Sequence, residues 1–400
     1  MDKKVESWLG VFKKLTKYEE VGDYSSLLKL LEQGYKPSGS FHSYNRAALH
    51  DKTIKITGRF DKLEYSEKYE VIQIGASTTI RQIMEELLKY DRKLLNSGNF
   101  FEQTFIGAAI TGTHGYGENS PLADSILQFE GVYDVNGELF VMVSHDPSDL
   151  RHPDLKAVTW AVLATAPTES YKVTNCVCKL SDVGPNVKGI AQAYAVLPYS
   201  NPQDPVCLIA HYESNTDVIV PKMKRYKRTR PWQWWRVKLW WKFDQYLPFT
   251  RRFIQRVLNF IKLKPFVIYT HPHDYDALYD PDPGLTGTTG KVSFTRWAYR
   301  PTHTGYNVSL FAKPEDTADI ITFAIEQSDR LKRTLLRSFI AVRCLQGQSR
   351  VDFAGNADGP RDAIDFYCTP KHAKYLIELQ RRIQDNFDVR PHYGKTVFKR

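Results

Sequence analysis

The sequence predicts an α+β protein of two domains, and three observations lead there. At 400 residues the chain exceeds one typical hydrophobic core. Strand-like alternation and helical spacing follow one another a short element at a time. After Leu180 the pattern loosens through Gly184, Pro185 and the proline-rich LPYSNPQDP of residues 197–205, which puts the boundary near residue 182 and gives domains 1–182 and 183–400.

Taken in order, residues 4–33 read as helical, with a polar break at Gly22-Asp23 and Leu27, Leu28, Leu30 and Leu31 closing a short amphipathic helix. A strand-like turn at Tyr35-Lys36-Pro37 leads into the loop SGSFHSYN. Residues 53–57 and 69–75 read as strands, and 77–90 as a helix opened by a Ser-Thr-Thr cap region. VYDVNGELFVMV, residues 132–143, is a hairpin, because Asn136-Gly137 suits a tight turn that needs positive φ at both central positions. Residues 173–180 alternate as another strand. Beyond the boundary come strands near 292–300 and 306–312, a helix at 315–330, and a strand and helix from 363 to 387, with no internal repeat.

Composition is that of a globular chain, 42% hydrophobic and 25% charged. The five cysteines, Cys176, Cys178, Cys207, Cys344 and Cys368, are odd in number and fit no metal-ligand spacing, which argues against a disulfide framework or a zinc site and for reduced, intracellular thiols. The N-terminus alternates charge with apolar residues and lacks a secretory core, and no run approaches the ~18 apolar residues of a spanning helix, so the expectation is a cytoplasmic protein, soluble or peripheral on a membrane.

The most informative stretch is FEQTFIGAAITGTHGYGENSPLAD, residues 101–124, where seven glycines and alanines surround Thr113-His114-Gly115. Gly107, Ala108, Ala109 and Gly112 make poor sheet unless something must approach the backbone closely. A flat or anionic cofactor would explain them.

Three segments carry a resemblance. Gly39-Ser40-Phe41-His42-Ser43 resembles the pyrophosphate loop of FAD-linked oxidases of the vanillyl-alcohol-oxidase type, usually written G-x-G-H-S. Residues 101–124 are similar to that superfamily's second flavin segment, ending in T-G-T-H-G-x-G. Arg390-Pro391-His392-Tyr393-Gly394-Lys395 resembles the R-P-H-W-G-K of its aldonolactone and alditol oxidases. The likeness covers residues 1–180 well and 300–400 loosely. It implies a PCMH-type FAD-binding domain over 1–182, and over 183–400 an α+β substrate cap whose C-terminal segment returns to the flavin.

The resemblance implies FAD as cofactor. Gly39 frees the backbone for an anion-binding nest, and Ser38, Ser40 and Ser43 add hydroxyls. Phe41 stands where the family has glycine, and His42 occupies the position at which its oxidases attach the flavin covalently. A loop histidine that only touches the ring is the alternative. Thr104, Gly107, Ala108, Thr111, Gly112, Thr113, His114 and Gly115 would place backbone amides along the pyrophosphate and pyrimidine edge, with His114 structural rather than catalytic.

Lys395 sits where the family presents a cation near flavin N1, and Arg343 where it has the arginine of Glu-x-Arg in the substrate site. Two departures stand out. Ala341 replaces the carboxylate of that motif, which leaves the catalytic base unassigned, with Asp365 and Tyr367 on the following strand as candidates. Ala166-Pro-Thr-Glu-Ser-Tyr171 replaces a glycine-containing turn along the cofactor. The activity implied is oxidation of a CH–OH group in a sugar, polyol or sugar lactone, with oxygen or another acceptor taking the electrons. A flavin-binding protein without turnover is the rival from another class.

Residues 222–264 hold fourteen Lys and Arg against the single acid Asp244, more than the whole net charge of +10, together with five of the eight tryptophans. Trp232, Trp235, Leu239, Phe243 and Tyr246 fall at helical spacing. Such helices suit either the core of the cap domain or an anionic membrane surface, where the enzyme would oxidise a lipid-linked sugar. Nothing else in the chain supports a nucleic-acid partner.

Overall fold

The computed structural model describes residues 2–7, 12–41, 43, 46–96, 101–115, 121–168, 170–183, 191–215, 256, 266–270, 306–332, 335–336 and 339–395. Its contacts divide the chain into two compact units, the first from residues 1–115, 119–168 and 349–357, the second chiefly from 169–348 and 358–400.

The first unit opens with strands β1 (Asp2–Glu6) and β2 (Lys13–Val21) where helical spacing was expected across residues 4–33. The helix is confined to α1 (Tyr24–Glu32). Pairing decided the difference: β1 lies antiparallel to β2, while β2 runs parallel to β4 (Lys52–Ile56) and the hydroxyls of Thr16 and Thr53 meet at 2.8 Å. The break at Gly22-Asp23 is real, since the Asp23 carboxylate accepts from the Ser26 N–H at 2.9 Å and caps α1. With β3 (Lys36–Pro37) these strands form a sheet in the order β1-β2-β4-β3. Leu27 is fully buried with Val21, Ile54, Ile56 and Phe60.

A second, largely antiparallel sheet contains β5 (Leu63–Ser66), β6 (Val71–Gly75), β7 (Arg92–Leu94), β8 (Ile126–Val135), β9 (Glu138–Ser144) and β10 (Leu155–Pro167). Between its strands come α2 (Ile80–Leu87), with Thr79 and Gln82 in a capping box, and α3 (Phe105–Ile110). The β8–β9 hairpin turns through Asn136 at φ 56° and Gly137 at φ 88°, the conformation that its Asn-Gly pair demands.

The second unit is an eight-stranded sheet of β11 (Ser170–Lys179), β12 (Ala191–Leu197), β13 (Val206–Asn215), β14 (Phe266–Thr270), β15 (Tyr306–Ala312), β16 (Ile340–Leu345), β17 (Arg361–Cys368) and β18 (Arg390–Pro391). The order is β14-β11-β13-β12-β16-β17-β15-β18. Because β11 pairs with β13 and β14, the units part between residues 168 and 169, ahead of the boundary that the proline-rich stretch suggests. Helices α4 (Thr317–Leu331) and α5 (Ala373–Asn386) pack together. Thr317, at the start of α4, donates to Asp362 Oδ2 at 2.8 Å, so the helices take the face of the sheet that carries Asp362. The expected strand at 292–300, His42, and all of 222–264 except Arg256 lie outside the described residues.

Candidate functional site

In the first unit, the two segments that resemble flavin-binding motifs come together in space. Ser38 anchors the first loop, its N–H donating to Ile54 O at 3.0 Å and its hydroxyl to Ala48 O at 3.1 Å. The Thr104 N–H donates to Ser40 Oγ at 3.1 Å. A Cβ built on Gly39 would stand 2.1 Å from Thr104 Oγ1, and one on Gly107 would stand 2.7 Å from the same oxygen. Both glycines are therefore dictated by a close approach of backbone to side chain.

Phe41 has φ 55°, so it keeps the left-handed backbone that the family's glycine would adopt without strain. Among the described residues, the N–H groups of Gly39, Ser40, Phe41 and Ser43 donate to no other atom. A glycine-opened loop beside a seam tight enough to exclude a Cβ lets an anion approach the backbone amides closely, which fits a pyrophosphate.

The second segment folds as α3 and ends in a Schellman cap: Gly112, at φ 75°, donates its N–H to Ala109 O at 3.0 Å, and Thr113 donates to Ala108 O at 2.9 Å. Thr111 Oγ1 donates back to Gly107 O and Ala108 O at 3.0 and 3.1 Å. His114 is buried, with Nδ1 3.0 Å from Gly115 O. A carbonyl only accepts, so Nδ1 carries the proton and the ring braces the turn. No described residue among 166–171 takes positive φ, in keeping with the absence of glycine there.

The second unit holds a buried charged cluster. Arg343 Nη2 donates to Asp365 Oδ2 at 2.7 Å and Lys395 Nζ to Asp365 Oδ1 at 2.8 Å, with the three side chains 5%, 15% and 1% exposed for Arg343, Lys395 and Asp365. One carboxylate thus sits between two cations. Burial lowers the Lys395 pKa to about 8, Asp365 opposing the fall and Arg343 adding to it.

Register explains how the sheet builds this cluster. Ala341 pairs directly with Asp365, and Arg343 with Ala363, so Asp365 projects from the same face of the sheet as Ala341 and Arg343. That face is opposite the one carrying Asp362 and the helices. A carboxylate therefore stands on the neighbouring strand, at the position directly across the ladder from Ala341. Nothing within the stretch Ala341-Val342-Arg343 could reveal this, since it depends on which residues pair.

Lys395 is placed by the turn after β18. The His392 N–H donates to Ser309 O at 3.0 Å, His392 Nδ1 accepts from the Gly394 N–H at 3.1 Å, and the Lys395 N–H donates to His392 O at 3.1 Å. The His392 ring stacks on Phe311 at 5.8 Å. His392, buried at 3%, is a positioning residue that sequence reasoning quoted without giving it a role. Tyr367 packs against Phe339 within the apolar part of the same face.

Comparison with known proteins agrees with the first unit's geometry. Residues 13–142 match the FAD binding domain family. Three solved structures share the fold. A variant of cholesterol oxidase from Brevibacterium sterolicum superposes with a TM-score of 0.67 at 9% identity, covering 99% of this chain and 86% of that one. Cholesterol oxidase from the same organism gives 0.65 at 10% identity, covering 99% and 86%, and a solvent-stable cholesterol oxidase gives 0.64 at 11%, covering 98% and 86%. No curated protein matches the sequence. The cofactor is FAD, and the chain has the two-domain PCMH-type FAD-binding fold that these cholesterol oxidases share.

Proposed function

We propose that this chain, an FAD-binding protein with the fold of the vanillyl-alcohol-oxidase type, oxidises a CH–OH group of a sugar, polyol or sugar lactone. The observation that carries the reading is the buried Arg343–Asp365–Lys395 cluster. Buried ions are costly, and a stack of fully buried strands gains nothing in stability from holding three of them.

Ser38, Gly39, Ser40, Phe41 and Ser43, with Thr104 and the 107–115 segment, hold the FAD phosphates and the adjoining edge of the cofactor. FAD, when bound, supplies the acceptor for the substrate's hydride. Arg343, always charged, orients the substrate oxygen. Lys395 Nζ, with its pKa near 8, takes up the hydroxyl proton as the C–H bond is broken, because a base titrating near the working pH is the effective one. Asp365 holds both cations in position.

The test is anaerobic bleaching of the flavin by xylitol, D-sorbitol and L-galactono-1,4-lactone, compared with Lys395→Met. Bleaching that depends on Lys395 supports the reading. A flavin that none of them reduces would leave a cofactor-binding protein without turnover.

A second reading, oxidation of a lipid-linked sugar at a membrane, is favoured by the charge of residues 222–264. Among the described residues no helix is long and apolar enough to cross a bilayer. Sedimentation with phosphatidylserine vesicles that salt reverses supports it, and indifference to such vesicles refutes it.

A further inference from the structure

We propose that Asn307, on β15, is a substrate-contacting residue whose carboxamide accepts a second hydroxyl of a polyhydroxylated ligand. The inference deepens the proposed function and rests on it. Asn307 is 2% exposed, and its Oδ1 is buried without a hydrogen-bond partner among the described residues. An acceptor withdrawn from water and left unpaired costs free energy, and a ligand donor is one way to recover it.

The position of Asn307 says which ligand. Ser309 pairs with Asp365 and Asn307 with Tyr367, so Asn307, Ser309 and Asp365 project from one face of the sheet, the face of Arg343. Asn307 is the diagonal cross-strand neighbour of Asp365, a separation of roughly 7–8 Å. That is the reach of a four- to six-carbon chain with one hydroxyl at the charged cluster and another at the amide. The neighbours on that face at Ala341, Ala363 and Ser309 are small. A neutral acceptor at this distance selects a molecule with several hydroxyls, a polyol or sugar lactone, over a monohydroxy alcohol.

The experiment uses FAD-loaded protein and measures xylitol and 1-pentanol binding by perturbation of the flavin spectrum, with melting-temperature shifts as a second readout. Asn307→Leu removes the acceptor at similar volume, and Asn307→Ala covers the case in which leucine does not fit. The expected result is tighter binding of xylitol than of 1-pentanol in the parent and a 10- to 100-fold rise in the xylitol Kd in the variants, with no fall in melting temperature in the absence of ligand. An unchanged xylitol Kd, meaning that water alone satisfies the amide, overturns the inference. So does a parent protein that binds neither xylitol nor L-galactono-1,4-lactone. Xylitol that binds through Asn307 but never bleaches the flavin overturns the proposed function and leaves the inference standing.

Discussion

Asp365→Asn removes one charge from a cluster in which Arg343 is 5% and Lys395 15% exposed. Breaking a buried pair by deleting one partner costs about 3–5 kcal/mol, because the remaining charge stays desolvated and unpaired. Here two cations lose the same carboxylate, so the loss falls within that range. The substitution also acts on protonation. Asp365 is the group that raises the Lys395 pKa against burial, so its loss drives that pKa further below about 8. Two assays follow: urea denaturation at pH 7, and the pH profile of substrate-driven flavin reduction, whose inflection shifts to lower pH.

The register supplies the control. Ala341 and Asp365 are direct cross-strand partners. Their Cβ atoms stand about 4.5–5.5 Å apart, so a carboxylate at 341 can reach the same two cations. Ala341→Glu in an Asp365→Ala background restores at least half of the lost stability and moves the inflection back up. A loss under about 1 kcal/mol in Asp365→Asn would place the cluster in the class of exposed pairs and refute the argument. Failure of the relocated carboxylate to restore the profile would refute the claim that the ladder position is what matters.

Four further outcomes are expected. Lys395 has a folded pKa of about 8 against an ordinary 10.5, so its burial penalty is present in full below pH 8 and fades as pH rises to 10.5. The stability of the parent relative to Lys395→Met therefore climbs across that window, by up to about 3 kcal/mol at 1.36 kcal/mol per unit, in paired denaturation curves at pH 7 and 10. Gly39→Ala brings a Cβ against Thr104 Oγ1 and lowers FAD affinity, and Thr104→Ala in the same chain restores it, as read by flavin retention on gel filtration. Phe41→Gly relieves a positive φ worth about 1 kcal/mol and raises the melting temperature; an unchanged or lower value would show that ring packing outweighs strain. Yellow colour that stays with acid-precipitated protein and is lost in His42→Ala establishes a covalent flavin, whereas a colourless pellet excludes one.

Local chemistry was legible in the sequence, and pairing was not. Asn136-Gly137 announced its hairpin and Gly22-Asp23 its break because each acts within three residues. The same is true of the glycines at 39 and 107, whose purpose, contact with Thr104, is nonetheless visible only once the segments meet. Residues 4–21 misled because mixed apolar and charged spacing is compatible with either period, and a parallel partner at Lys52–Ile56 decided for strand. Asp365 was a candidate from its strand alone, but its place between two cations, like the setting of Asn307 in a run that looks like ordinary core, comes from the residues across the ladder.

The same reasoning separates stability from use. Strands β15, β16 and β17 are buried along their whole length, a setting in which apolar residues of matching volume are the stable choice. Replacing Arg343, Asp365 and Lys395 together by Met, Leu and Met should therefore give a protein at least as stable as the parent, although any one replacement alone is destabilising. If that triple variant retains FAD, melts no lower than the parent and fails to bleach with any substrate that reduces the parent, the charges are held for chemistry. A triple variant that cannot fold would instead make the cluster an architectural requirement of the sheet and remove the main support for the function proposed.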